Sequence, residues 1–234
     1  MSGHELISPH EGDNLLIIDG HALIYRSFHA FPPLTTDTGQ IVGAVYGFLR
    51  TLLVVLKQLT PAYWLVAFDH PAPTKRKQEF AFYKANRPQM PPELQGQIAL
   101  IEEAVGHLAI PQFKIAGIEA DDIIGTISSL AMKENLAKVF ILTGDKDSFQ
   151  LVNEKVHVLM PNVGRSHSRG SREPLIEYGP IQVQQKMGVS PALIVDYKAL
   201  AGDSADNISG VPGIGDKTAV REVEIGRASC RERV

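Results

Sequence analysis

The chain has 234 residues, of which 44% are hydrophobic and 21% are charged, and its formal net charge is −3. This composition is typical of a globular protein with an ample core, and no apolar run approaches the roughly 18 residues of a membrane span. The single cysteine, Cys230, excludes an internal disulfide framework and a cysteine-based zinc site. The polar residues 1–14 lack the apolar centre of a signal peptide, so we expect a cytoplasmic protein without membrane attachment.

Short apolar runs alternate with longer helical patterns along the chain. Strands are predicted at 15–18, 64–68, 113–115, 139–143 and 156–160. Helices are predicted at 22–29, 43–59, 91–108 and 123–131, and the second of these is apolar almost all round, as in a core helix. This alternation predicts an α/β fold with a mostly parallel central sheet flanked by helices.

Acidic residues follow several of the predicted strands. Asp19 and Asp69 end the first two apolar runs, and Asp145 and Asp147 follow a later one. Three more acids lie in Ile118–Gly125, where Asp121 or Asp122 is expected to open a helix. That stretch alone is equally consistent with one capping aspartate and two surface acids. Together, however, the four groups would repel one another at the carboxyl edge of the sheet, where ligands bind.

Divalent cations would relieve this repulsion. Carboxylate oxygens suit Mg²⁺ or Mn²⁺, and no cysteine or histidine pairs occur at zinc spacing.

The stretch from Thr74 to Arg87 carries five basic residues and one acid, interleaved with three aromatic side chains. On composition alone it is also consistent with a solvated helix face. A Gly/Ser/Arg-rich stretch at 162–172 is predicted to be a mobile loop.

Glycines near the carboxyl end indicate a nucleic-acid contact. Gly210–Ala219 places several glycines in a tight turn that opens a helix, with Lys217 in its first turn. Exposed backbone N–H groups in such a turn bind phosphate. The spacing is that of a helix-hairpin-helix motif, which grips a duplex backbone without reading bases.

Several of these motifs occur together, and in order, in one family. They are Asp19-Gly20, Tyr83-Lys84-Ala85-Asn86-Arg87-Pro88, Glu119-Ala120-Asp121-Asp122, Thr143–Asp147, Ala201–Asn207 and Gly210–Gly215. From about Leu15 to Val223 the chain resembles the 5′→3′ exonuclease domain of bacterial DNA polymerase I, in the flap endonuclease family. The resemblance implies a PIN-like nuclease fold with a helical arch and a carboxyl-terminal helix-hairpin-helix.

The resemblance implies nine acidic ligands for two Mg²⁺ or Mn²⁺ ions. They are Asp19, Asp69, Glu119, Asp121, Asp122, Asp145, Asp147, Asp203 and Asp206. Asp69 and the acids of Glu119–Asp122 would mainly hold one ion, and Asp145, Asp147, Asp203 and Asp206 would hold the other. Asp19 would either be shared by both ions or lie next to the ligands without contacting an ion. Two-metal chemistry would hydrolyse a phosphodiester to a 5′-phosphate and a 3′-hydroxyl.

The resemblance also assigns the basic stretch to an arch over residues 70–92. Lys84 and Arg87 would reach the scissile phosphate, and Tyr83 would either stack on a terminal base or pack the arch. Lys75, Arg76 and Lys77 would steer the strand. Gly213, Gly215 and Lys217 would hold the duplex backbone, with a monovalent cation such as K⁺ at the turn.

The expected substrate is DNA with a 5′ flap, nick or overhang, including RNA-primed ends. We expect a nucleoid-associated bacterial monomer, fused to a polymerase domain in the full gene. Setting the nine acids aside leaves 17 acids against 23 basic residues, a net of +6, so the remaining surface should attract phosphates.

The expected organisation is a nuclease core at 15–178 and a truncated helix-hairpin-helix region at 179–223. Residues 224–234 resemble a translated sequencing adapter and are expected to be non-native. The second helix of the motif would then run only from about Asp216 to Val223.

Two other functions remain open on the residues alone. A PIN-type ribonuclease would share the acids, but the arch and the helix-hairpin-helix argue against it. A non-catalytic, structure-specific DNA-binding module gains nothing from concentrated negative charge. Cleavage of flapped DNA, compared with single-stranded RNA and tested for Mg²⁺ dependence, separates the three.

Overall fold

The computed structural model describes residues 12–134, 136–162 and 175–231, with side chains described as far as residue 226. Residues 1–11 of the polar tail lie outside this range. So does the predicted mobile loop at 162–172, apart from Asn162.

A six-stranded sheet forms the centre of the molecule, in the order β3-β2-β1-β4-β5-β6. Its strands are β1 (Asn14–Asp19), β2 (Tyr63–Ala67), β3 (Gln112–Phe113), β4 (Lys138–Leu142), β5 (Val156–Pro161) and β6 (Leu175–Tyr178). The first five are mutually parallel, and Ile17 of β1 lies between Leu65 and Ile141. Parallel strands buried on both faces need continuous apolar sequence, which explains the unbroken runs in β1 and β4.

Eight helices connect and cover the strands within the described residues. They are α1 (Gly20–Ala30), α2 (Gly43–Leu59), α3 (Lys75–Glu79), α4 (Pro92–His107), α5 (Ala120–Ala131), α6 (Pro180–Met187), α7 (Ile194–Ala201) and α8 (Asp216–Arg231). Short 3₁₀ helices lie at Lys146–Leu151 and Pro191–Leu193. No helix in this described part of the chain is long and apolar enough to cross a membrane.

Two apolar cores lie on opposite faces of the sheet. Leu16 and Ile18 of β1 pack with α1, α2 and α4, whereas Leu15 and Ile17 pack with α5 and the later helices. Neighbouring strand residues point to opposite faces, so one strand contributes to both cores. The predicted mostly parallel sheet flanked by helices is therefore confirmed.

The structure corrects three details of the prediction. Helix α5 begins at Ala120, before Asp121 and Asp122, so neither aspartate caps it. Helix α2 is not buried all round, because Tyr46 and Leu53 are exposed on its outer side. The antiparallel strand β6 was not predicted, since its four residues, Leu175–Tyr178, form too short and too mixed an apolar run to indicate a strand.

Helix α8 is longer than the sequence predicted. It continues to Arg231 instead of ending at Val223, so the expected eight-residue helix is wrong. Residues 224–231 contain Glu, Ala and Arg residues that favour helix, with Gly226 as their one strong breaker.

A short hairpin, with two residues in each strand, lies between α7 and α8 and carries two of the predicted ligands. Its strands are β7 (Gly202–Asp203) and β8 (Ile208–Ser209). Gly202 has φ of +81°, and a Cβ there would lie 2.4 Å from the backbone nitrogen of Gly210. Only glycine allows this approach, so these two residues set the position of the loop between the strands.

Candidate active site

The predicted ligands lie beyond the carboxyl ends of β1, β2 and β4. Asp19 is the last residue of β1, Asp69 lies two residues after β2, and Asp145 lies three residues after β4. Because these strands are adjacent and parallel, their carboxyl ends meet at one edge of the sheet. The fold therefore brings together three acids that are far apart in sequence.

Asp19 is buried at the base of this edge. Its carboxylate caps α1 by accepting from the Ala22 amide at 3.0 Å, and it accepts from the Thr143 hydroxyl at 2.7 Å. Burial raises the pKa of Asp19 to about 6, and the charges of Asp69 and Asp145 add to this shift against the two hydrogen bonds. The adjacent Gly20 is required here, because a Cβ would lie 2.3 Å from the Phe68 ring.

Asp69 connects the end of β2 to α5, which carries Asp121 and Asp122 and follows Glu119. Its carboxylate accepts a 2.8 Å hydrogen bond from the backbone N–H of Ala120, the first residue of α5. Its own amide donates to Nδ1 of His21 at 3.1 Å, so this ring nitrogen is unprotonated.

Glu119 precedes α5 and is surrounded by donors from the predicted arch. Its carboxylate accepts from Arg76 at 2.8 Å, from the Tyr83 hydroxyl at 3.0 Å and from Nζ of Lys84 at 3.1 Å. Burial alone would raise the pKa of Glu119, but the charge and hydrogen bond of Lys84 outweigh it and lower that pKa. Arg76 also contacts Asp122 at 2.5 Å, so it bridges two of the predicted ligands.

Asp121 faces the other carboxylates in the cleft. Its carboxylate accepts no hydrogen bond from the described part of the chain, and the residue is exposed. The pKa of Asp121 is nevertheless raised to about 7. The main cause is the loss of hydration in the cleft, and the negative charges of Asp19 and Asp145 add to it. The unrelieved repulsion at this position is what a bound cation would remove.

A second acidic group combines Asp147, Asp203 and Asp206, whose carboxylate oxygens lie within 4.8 Å of one another. Lys198 of α7 contacts both Asp147 and Asp203, the latter at 2.6 Å. Burial and the charge of Asp145 raise the pKa of Asp147 in spite of this lysine. Burial would also raise the pKa of Asp203, but the hydrogen bond from Lys198 outweighs it and lowers that pKa.

Turn geometry places the two acids of the hairpin loop. The Asp203 carboxylate accepts from the backbone N–H groups of Ala205 at 2.9 Å and Asp206 at 3.3 Å. Asp145 orients Asp147 in the same way, by accepting from its amide at 2.9 Å.

The arch segment lies directly on this loop. Arg87 forms a 2.7 Å ion pair with Asp206, and the amide of Lys84 donates to the Asp206 carbonyl at 3.0 Å. Lys84 has φ of +55°, a conformation that costs free energy for a side-chain-bearing residue. The structure therefore gathers Tyr83, Lys84 and Arg87 against the predicted ligands.

A cavity of about 1020 Å³ opens between the arch, α5 and the loop. Glu119, Asp121, Asp122, Asp147 and Asp206 line its acidic end. Phe80, Phe82, Leu130, Leu151, Val195 and Ile208 supply apolar lining, and Thr126, Ser129, Ser148 and Gln150 add polar side chains. The cavity thus offers charge for a phosphate-bound cation and apolar surface for bases.

The other predicted DNA contacts lie away from this cavity. Lys75 and Lys77 are exposed on α3, unlike Arg76 between them, which contacts Glu119 and Asp122. Gly213 and Gly215 are exposed in the turn before α8, and a Cβ at either would meet open space. Lys217 is exposed in the first turn of α8. Within the turn, the Ile214 amide donates to the Val211 carbonyl, and the Gly215 carbonyl accepts from the Ala219 amide of α8.

Sequence reasoning missed three residues of the site. Lys198 pairs with two acids, Thr143 bonds to Asp19, and His21 accepts from Asp69. Thr143 is the last residue of a predicted strand, which is a usable signal. Lys198 lies five residues before Asp203, and only the packing of α7 brings it to Asp147.

The donor set fits divalent cations. All nine acids offer oxygen, which Mg²⁺ and Mn²⁺ prefer. Burial, together with the charges of neighbouring carboxylates, raises the pKa of Asp19 and of Asp121. Basic side chains offset only part of that charge.

Comparisons with known proteins decide the family. Residues 14–188 match the family model described as the 5′-3′ exonuclease, N-terminal resolvase-like domain, and residues 189–224 match that of the 5′-3′ exonuclease, C-terminal SAM fold. This chain belongs to the 5′-3′ exonuclease family. The family explains why the acids of five segments converge on one cleft.

Individual relatives agree with this assignment. The chain is 44% identical over 206 residues to DNA polymerase I of Pseudomonas aeruginosa, covering 88% of this chain and 21% of that protein. It is 41% identical to the 5′-3′ exonuclease of Aquifex aeolicus, covering 88% of this chain and 67% of that protein. The chain thus spans about a fifth of the length of the polymerase it matches.

Solved structures show the same fold. The T5 5′-exonuclease with bound zinc ions has a TM-score of 0.70 and 25% identity, covering 91% of this chain and 75% of that chain. Flap endonuclease-1 from Methanococcus jannaschii has a TM-score of 0.58 at 18% identity, covering 95% of this chain and 74% of that chain. The flap-nuclease fold is therefore confirmed.

Proposed function

We propose that this chain is a divalent-cation-dependent nuclease that hydrolyses DNA phosphodiesters at 5′ ends and 5′ flaps. One observation carries the proposal: the fold brings acids from β1, the end of β2, α5, the 3₁₀ helix and the hairpin loop to one edge of the sheet, beside basic arch residues. Names of relatives support it, since they include a 5′-3′ exonuclease and a T5 flap endonuclease complexed with DNA and metal ions.

Two groups of acids would hold the cations. Glu119, Asp121, Asp122 and Asp69 surround the start of α5, and Asp147, Asp203 and Asp206 form the second group. Asp19 and Asp145 are close to the first group, since their charges raise the pKa of Asp121, and Asp145 also raises the pKa of Asp147 in the second group. When bound, two Mg²⁺ or Mn²⁺ ions would activate water and stabilise the leaving oxygen of the scissile phosphodiester.

The chain's own cations would act on the phosphate. Lys84 pairs with Glu119 and Arg87 pairs with Asp206. When DNA enters, each basic side chain must leave its carboxylate partner and bind a phosphate oxygen. Held there, they stabilise charge that develops on the phosphate. Arg76 keeps Glu119 and Asp122 together and so orients the start of α5.

Tyr83 has a different role from Lys84 and Arg87. Its hydroxyl donates to Glu119, and burial raises the pKa of Tyr83 to about 12, so it stays protonated. This contact favours packing of the arch over stacking on a base. The exposed Phe80 and Phe82 offer the free aromatic faces instead.

The turn before α8 would hold the duplex. The exposed amides around Gly213 and Gly215, together with Lys217, suit phosphate oxygens and a monovalent cation. We extend the proposal to nicked, overhanging and RNA-primed ends. We further propose a monomer that acts in the bacterial cytoplasm at the nucleoid, within a longer protein carrying a polymerase domain.

Single-turnover cleavage of end-labelled substrates tests the proposal. We expect Mg²⁺-dependent cleavage of a 5′-flapped duplex, at a rate well above that for single-stranded RNA. Preferential cleavage of the RNA would favour a ribonuclease of related fold. Binding of flapped DNA without cleavage at any Mg²⁺ or Mn²⁺ concentration would favour a non-catalytic module.

A further inference from the structure

Two asparagines join the arch to the loop that carries Asp203 and Asp206. The side-chain amide of Asn86, in the arch, donates to the Ser204 carbonyl at 2.8 Å. In the reverse direction, the side-chain amide of Asn207 donates to the Phe82 carbonyl at 2.8 Å. Each segment thus supplies one side chain that bonds to the backbone of the other.

This pair responds to charge differently from the ion pairs that the arch residues form. The Arg87–Asp206 and Lys84–Glu119 contacts are ion pairs. A divalent cation among the acids attracts their carboxylates, repels these basic groups and so weakens both pairs. An amide-to-carbonyl hydrogen bond carries no net charge and keeps its strength when the cation arrives.

The remaining backbone contact cannot hold the arch alone. The amide of Lys84 donates to the Asp206 carbonyl, but Lys84 must keep φ at +55° to do so. That conformation is strained for a residue with a side chain, and the strain offsets the gain from one hydrogen bond.

We propose that Asn86 and Asn207 are positioning residues that keep Lys84 and Arg87 beside the second acidic group after cations bind. They act through the backbone and touch neither phosphate nor metal. Asn207 suits the role because its φ of +59° is one that asparagine tolerates better than most residues. The inference rests on the proposed function, since it assumes that Lys84 and Arg87 serve the scissile phosphate.

Hydrogen exchange of the full chain, without DNA, tests the inference. The test variant combines Asn86→Ala with Asn207→Gly, because glycine removes the side chain and accepts the positive φ. Both residues are exposed, so the fold should persist in the double variant. The single variant Asn86→Ala provides a second measurement of exchange, in which only one of the two hydrogen bonds is lost. Gln78→Ala is the matched control, since this exposed arch amide donates only to Pro73 within its own segment.

Exchange is followed by mass spectrometry in peptides spanning residues 80–90, with EDTA and with saturating Mg²⁺. In the wild-type chain and Gln78→Ala we expect Mg²⁺ to change exchange by less than about twofold. In the double variant we expect Mg²⁺ to accelerate it by at least about tenfold, the effect of losing two neutral hydrogen bonds once the ion pairs weaken.

Two results would overturn the inference. One is equal exchange in the double variant and the wild type with Mg²⁺. The other is faster exchange in the variant by the same factor with and without Mg²⁺, which would show static support only. Because no cleavage is measured, failure of the proposed nuclease activity would appear separately, in the wild-type flap assay.

Discussion

The carboxylate of Asp69 accepts a 2.8 Å hydrogen bond from the backbone N–H of Ala120, 51 residues away. This contact satisfies one of the free amides at the start of α5, a role that capping side chains usually fill from within the same segment. It also fixes the end of β2 against the segment that carries Glu119, Asp121 and Asp122. One side chain therefore serves both the fold and the acidic cluster.

Two substitutions separate these roles of Asp69. Asp69→Asn retains an oxygen acceptor for the Ala120 amide but removes the charge, whereas Asp69→Ala removes both. We expect both variants to lose most cleavage activity. Only Asp69→Ala should also lose about 1 kcal/mol of unfolding free energy, measured by urea denaturation in EDTA. Equal stability of the two variants would show that the hydrogen bond contributes nothing.

Asp19 should make the stability of the metal-free chain fall as pH rises. Its pKa is raised from 3.8 to about 6 on folding, so the folded state holds its proton more tightly than the unfolded state. Stability is therefore lost as pH rises from about 4 through about 6. Asp19→Asn should remove this loss and keep the cap on α1.

Thermal and urea unfolding in EDTA measures this effect. Relative to the wild type, Asp19→Asn should gain about 2 kcal/mol between pH 4.5 and pH 8. Asp37→Asn, at an exposed position, is the control and should show no such trend. A constant difference between Asp19→Asn and wild type at all pH values would contradict the assigned burial cost.

How much of the site the sequence predicts depends on which contacts are local. Asp19 and Asp145 were placed correctly because each follows an apolar run, and parallel strands bring such ends together. The contacts of Arg76 and Lys198 were not foreseen, because each depends on how a helix packs on a distant segment. The cap on α5 was predicted wrongly for the same reason, since the acceptor for the Ala120 amide is Asp69, two residues after β2.

Lys84→Ala and Arg87→Ala should slow single-turnover cleavage by roughly 10²-fold or more, by analogy with removal of one preorganised donor to the transition state. Their affinity for flapped DNA should change much less. Lys75→Ala and Lys77→Ala are matched controls, because both lysines are exposed on α3 outside the cavity. If Lys84→Ala and Arg87→Ala weaken binding but cleave at the normal rate when saturated, they act only as steering charges.

Lys217→Ala should weaken duplex binding without slowing the cleavage of bound DNA. One lost phosphate contact should reduce the slope of log K against log salt by about 0.9. A salt titration of duplex binding measures this slope. Lys186→Ala, at an exposed position in the last turn of α6, is the control. Identical slopes for the Lys217→Ala variant and the wild type would remove the turn before α8 from the DNA interface.

The central claim is that the converging acids act through divalent cations on a phosphodiester. Single-turnover cleavage of a 5′-flapped duplex, in Mg²⁺ and after thorough chelation, tests it most directly for the wild type, Asp121→Ala and Asp145→Ala. We predict wild-type cleavage only with Mg²⁺, and losses of rate in both variants that exceed any loss of DNA affinity. Cleavage that survives chelation, or a near wild-type rate in either variant, would contradict the account.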